Sequence, residues 1–245
     1  MTTGWIALLL STSPWANAED LMMVPGEMRG CKLAEGASMN DLNAAMSALV
    51  NWLKEDEHGY ELWSGTPHFK PNEGYDFDIL WMGFWTSHAE QMRGLKAFYT
   101  TEEGQEIGQT LNMVLDCTSM RHFNSVRVRS EPKEETRQQA FGFMFDCALE
   151  ANKGPQDVAE VFQKWNRYLD SENIDHGVSA IFPSSGAPEE ATGTFKFLWG
   201  GDFADVGETL SFLTKPEANA TWLEITESTY SCDTFDRGYY FQRYH

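Results

Sequence analysis

The sequence predicts an α+β fold in which two βαββαβ halves pack sheet-to-sheet as a pseudo-twofold α/β barrel with helices outside. Two observations carry this. The strand-like segment Phe77-Asp-Ile-Leu-Trp81 returns as Phe195-Lys-Phe-Leu-Trp199, each followed by a glycine and then a helical pattern. The cysteines repeat too, since the interval from Cys31 to Cys147 nearly equals that from Cys117 to Cys232. A hydrophobic content of 42%, with nine Trp and sixteen Phe, supplies a core and excludes disorder.

Residues 1–18 carry no charged side chain and hold the apolar run Trp5–Leu10. They end in Ala16-Asn-Ala18, the small-x-small pattern of a signal-peptide cleavage site. The run is too short to span a bilayer, so the expectation is an exported protein, periplasmic or secreted, with no membrane span. The first barrel half is then 19–130, the linker 131–139 and the second half 140–245. In an oxidising compartment four cysteines read as two disulfides. Three pairings are possible, and the repeat favours Cys31–Cys117 with Cys147–Cys232.

Within each half the elements follow one order. Ser38-Met-Asn-Asp41 and Pro155-Gln-Asp157 open helices, Ser38 as an N-cap and Pro155 in a first turn. The helices run over Asp41–Lys54 and Asp157–Leu169, with apolar residues at helical spacing (Leu42, Met46, Leu49, Leu53; Val158, Val161, Phe162, Trp165). His58-Gly59 and His176-Gly177 each open an extended stretch, and the adjoining glycines suggest a turn role for both histidines. The Phe-x-x-Leu-Trp strand follows, with Phe77, Ile79 and Trp81 on one face and Asp76, Asp78 and Leu80 on the other. Its helix comes next, and closing strands are expected at Phe123–Arg129 and Tyr239–Tyr244. Each half is thus the split βαβ, ferredoxin-like pattern.

A net charge of −19 excludes nucleic acid or an anionic membrane as the natural partner. There is no Gly-x-Ser-x-Gly, phosphate loop, His-Glu-x-x-His or Cys-x-x-Cys. Asn219-Ala-Thr221 matches only the short glycosylation sequon.

A strand ending in Trp, a helix, the Thr101–Gly104 turn, a second helical piece and a closing strand together resemble the dimeric α/β-barrel superfamily. Its members include antibiotic-biosynthesis-monooxygenase-like, NIPSNAP-like and stress-responsive barrel proteins. The resemblance spans both halves, so one chain would form one barrel and a monomer is allowed. It implies cofactor-independent oxidation of aromatic substrates, haem chemistry, or binding without reaction.

Haem needs an axial ligand, usually His. The candidates are His58, His68, His88, His122 and His176, with His88 singled out because its counterpart in the other half is the apolar Val206. A hydrophobic pocket between the sheets could be lined by Trp63, Trp81, Trp85, Phe84 and Trp199, with Asp76, Asp78, His68, Arg127 and Arg129 supplying polarity. Such aromatics are commonly plain core, and such charges an internal polar network. The expected ligand set is Trp63, Trp81, Trp85, His88, Arg127, Arg129 and Trp199, with catalytic residues unassigned and no metal or cofactor. The expected function is binding of a small hydrophobic or aromatic molecule. The alternatives are an oxygenase-like enzyme in the same cavity and a filled, non-catalytic interaction protein displaying Tyr239, Tyr240 and Phe241 on an edge.

Overall fold

A computed structural model describes residues 23–55, 59–70, 76–118, 120–130, 137–185, 191, 193–233 and 237–244. The leader-like segment, His58 and most of the linker lie outside the described residues. The chain runs β1 (Val24–Leu33), α1 (Met39–Glu55), β2 (Tyr60–Phe69), β3 (Ile79–Trp85), α2 (His88–Thr100), α3 (Glu102–Val114), β4 (Leu115–Cys117) and β5 (Arg121–Arg129). It continues with β6 (Gln139–Leu149), α4 (Pro155–Ser171), β7 (Gly177–Pro183), β8 (Thr194–Gly201), α5 (Phe203–Leu213), α6 (Pro216–Thr226), β9 (Tyr230–Cys232) and β10 (Arg237–Tyr244). β6 takes in Gln139, which the sequence assigns to the linker.

Helix starts are fixed by local chemistry. The Ser38 N–H donates to Asp41 Oδ2 at 2.9 Å while the Asp41 N–H donates to Ser38 Oγ, a reciprocal cap on α1. Ser87 caps α2, Thr101 caps α3 and Asp202 caps α5 through side-chain oxygens that accept from the first turn. The expected Thr101–Gly104 turn is therefore the opening of α3.

Eight strands close into an antiparallel barrel in the order β10-β2-β3-β1-β5-β7-β8-β6, with β6 pairing back to β10. The expected barrel is thus a closed one, and its two sheets face each other across the lumen. The sheets β2-β3-β1-β5 and β7-β8-β6-β10 meet edge to edge, through β5·β7 and β10·β2, which leaves none of these edges unpaired. For the same reason the C-terminal aromatics are not an exposed edge. β10 is paired on both sides, and Tyr239 and Phe241 are buried inside the barrel.

Side chains alternate between the lumen and the outer face. Leu80, Met82, Phe123, Met144, Ile181, Tyr239 and Phe241 fill the middle of the lumen. Outside, α1–α3 cover Ile79, Trp81 and Trp85, while α4–α6 cover Phe195, Phe197 and Trp199. Burying each large apolar side chain contributes roughly 1.5–3 kcal/mol. Phe77 departs from the expected alternation, because the chain bends at Asp78 before β3 begins and turns its ring toward the lumen cluster. Cys31 joins Cys117 and Cys147 joins Cys232. Each second cysteine ends a short strand of its own, β4 or β9, rather than standing at the start of the closing strand.

Candidate functional site

The barrel brings the expected ligand set to five separate places. Trp63 and Arg127 line a cavity of about 260 Å³ at one mouth of the lumen, together with Phe84 and Glu61. Glu61 accepts from Trp63 Nε1 at 2.5 Å and from Arg243 at 3.0 Å. The Arg127 side chain is exposed to this cavity, and desolvation by the surrounding barrel wall lowers its pKa to about 10. Trp81 and Trp85 lie outside the wall, under α1–α3. Trp199 lies outside the wall on the opposite side, under α4–α6.

Arg129 does not share Arg127's face. The β5·β7 register slips between Arg127 and Arg129, a bulge that turns Arg129 outward. There it pairs with Asp170 at 2.9 Å and donates to the Ile174 carbonyl. His88 is exposed at the first turn of α2, 3.4 Å from Gln91 Oε1, and Gln91 Nε2 sits 3.2 Å from His122 Nδ1. These three side chains line neither the lumen cavity nor the spaces beneath the helices. Asp76 is spent on a surface pair with Lys32, and His68 stands exposed against Phe141.

A larger, mainly apolar cavity of about 500 Å³ lies between the outer face of β6–β8 and helices α4 and α6. Its walls are aromatic: Phe145, Phe162, Trp165, Phe197, Trp199 and Trp222. Helical spacing puts Val158, Val161, Phe162 and Trp165 on the buried face of α4. Strand alternation presents Phe197 and Trp199 from β8 to the same space.

Two polar groups converge there. His176, expected in a turn, is instead buried against Trp199 in edge-to-face contact, with its Nδ1 3.2 Å from Thr209 Oγ1. Desolvation, with Arg129 nearby, lowers its pKa to about 3, so the imidazole is neutral. The second group is the Tyr230 hydroxyl, buried without a hydrogen-bond partner among the described residues and raised in pKa by desolvation. Glu227 and Asp233 also line the cavity and are exposed, while no described lining residue is Lys or Arg.

Sequence reasoning missed Trp222 and Tyr230, which line the cavity from α6 and β9, and Thr209 of α5, which holds His176. Trp199, from the expected ligand set, and His176, among the histidine candidates, do line the cavity, and the apolar spacing of α4 marked Phe162 and Trp165. Among the described residues no group of His, Cys, Asp and Glu side chains is arranged to hold a metal ion.

No family model matches the chain, and no curated protein matches it. Solved structures do. A candidate monooxygenase from Lactobacillus acidophilus superposes with a TM-score of 0.55 at 9% identity, covering 91% of this chain and 94% of its own. A candidate monooxygenase from Fusobacterium nucleatum gives 0.54 at 7% identity, covering 91% and 93%. A candidate chlorite dismutase gives 0.49 at 9%, covering 91% and 96%. At these identities the first two likenesses show a shared fold, the ferredoxin-like α/β barrel.

Proposed function

We propose that this is an exported α/β-barrel protein that binds a small, uncharged hydrophobic or aromatic molecule in the cavity beneath α4 and α6. One observation carries the reading. The Tyr230 hydroxyl is buried without a described partner in a space walled by aromatic rings, a costly arrangement unless a ligand completes it. The neutral His176 adds a second polar point. A planar molecule with one hydroxyl or N–H, such as a phenol or an indole, would meet both the rings and the polar pair.

Haem, which the family resemblance raises, fits less well. His176 offers a nitrogen, but the described lining has Glu227 and Asp233 and no cation to receive propionates. Catalysis in the cavity is also disfavoured. A histidine with a pKa of about 3 is a weak base at neutral pH, where general base catalysis is served best by a pKa near the working pH.

Export is supported by the leader-like segment and by the two disulfides. Origin by tandem duplication is supported by the same strand order on either side of the linker.

The test is titration with 1-naphthol and indole, followed by tryptophan fluorescence, with an absorbance spectrum of the protein as purified. Saturable quenching that weakens in Tyr230→Phe supports the reading. Absence of quenching with both probes, or a haem spectrum, overturns it.

A further inference from the structure

The opposite side of the barrel holds a second cavity of different chemistry. It measures about 230 Å³ and lies between the outer face of β1–β3 and helices α1–α3. Glu27 and Arg29, two residues apart on β1, both face it, as do Tyr60, Trp81 and Trp85. Glu27 is only 4% exposed. The Tyr60 hydroxyl donates to Glu27 Oε1 at 2.8 Å and accepts from Trp81 Nε1 at 3.2 Å. Burial and the neighbouring Glu27 raise the Tyr60 pKa, which keeps it a donor.

Three polar atoms on these side chains remain buried without a hydrogen-bond partner among the described residues: Glu27 Oε2, Arg29 Nε and Trp85 Nε1. One is a carboxylate acceptor and two are N–H donors. Glu27 and Arg29 form no ion pair with each other, and the Arg29 guanidinium instead lies 4.4 Å from the centre of the Trp81 ring. Folding has therefore placed opposite charges on one wall, held apart, with an indole floor. A cationic ligand alone would leave the Arg29 donor unmet, and an anion alone would leave Glu27 Oε2 unmet. The space equals that of about seven or eight waters at ~30 Å³ each, the scale of an amino acid.

We propose that this cavity is a second binding site, for an amino-acid-sized zwitterion whose ammonium meets Glu27 and whose carboxylate meets Arg29. Trp81 and Trp85 supply the apolar wall for its side chain. The site is independent of the one under α4 and α6 and shares no residue with it.

The test uses the mature protein and each of the twenty L-amino acids singly, at up to about 10 mM, by thermal shift and then calorimetry. Butylamine and acetate serve as half-ligands. The expected result is saturable binding of at least one amino acid, none with the half-ligands, and affinity lower by at least about tenfold in Glu27→Gln. Glu27→Gln keeps the side-chain shape, and circular dichroism checks its fold. Should Arg29→Gln fail to fold, Glu27→Gln alone decides. Tyr230→Phe should leave this binding unchanged. Absence of saturable binding, meaning water alone occupies the cavity, overturns the proposal, as does equal affinity in Glu27→Gln.

Discussion

Thr209 fixes the tautomer of His176. The Thr209 hydroxyl donates its one hydrogen to the Asp205 carbonyl at 2.9 Å, so toward His176 Nδ1, 3.2 Å away, it can only accept. The ring proton therefore sits on Nδ1, and Nε2 carries the lone pair. Thr209→Val should release this constraint, and nitrogen NMR of labelled histidine should show the Nδ1–H form giving way to a mixture.

The depressed pKa of His176 makes stability depend on pH with a definite sign. The unfolded chain binds a proton below about 6.5 and the folded one only near 3, so stability falls as pH drops through this window. By pH 5 the loss should be about 2 kcal/mol. Urea midpoints measured from pH 7 to 5 should show it, and His176→Gln should flatten the slope there. Paired carboxylates such as Asp146 add their own loss only at lower pH.

Removing the Tyr230 hydroxyl should separate stability from binding. Tyr230→Phe deletes a buried group without a described partner and should stabilise the free protein by roughly 1 kcal/mol. The same change should weaken naphthol or indole binding. A variant that loses stability instead would mean that the hydroxyl is already satisfied.

Cys232 both closes a disulfide and lines the aromatic cavity. Replacing Cys147 and Cys232 together with Ala should cost roughly 4 kcal/mol, given a sequence separation of 85. It should also loosen probe binding more than the matching Cys31/Cys117 change, whose cysteines lie outside that lining. Equal effects of the two pairs on binding would count against the placement of the site.

Gly94 on α2 is required by Trp85, since a β-carbon there would run into the indole ring. Gly94→Ala should destabilise by about 1–3 kcal/mol despite the better helix propensity of Ala, as denaturant unfolding would show.

Much of the fold was legible in the sequence. The cap at Ser38, Pro155 in the first turn of α4, the apolar spacing of α1 and α4, and the recurring Phe-x-x-Leu-Trp strand are local signals, and local geometry obeys them. The site was much less legible. Trp63, Trp81 and Trp199 look alike in sequence, yet the barrel sends them to the lumen mouth and to opposite outer faces. The bulge between Arg127 and Arg129 puts on different faces two residues that simple strand alternation would place on one. Glu27 and Arg29 left a usable trace, because they alternate with Cys31 on a face the helices cover, and charges there call for partners.

By itself the sequence determined the α+β class, the order of the elements and the preferred cysteine pairing. These follow from periodicity, capping chemistry and repeated spacing, which act over a few residues or are written twice. Only the tertiary structure decided that the sheets join by their edges, and hence which face of each strand meets helix and which meets lumen. That choice depends on hydrogen bonding between β5 and β7 and between β10 and β2, strands remote in the chain. Within each half, the pairing of β8 with β6 and β7, and of β9 with β6, gathers His176 and Tyr230 around one cavity, while the pairing of β3 with β1 and β2 sets Glu27, Arg29 and Tyr60 around another.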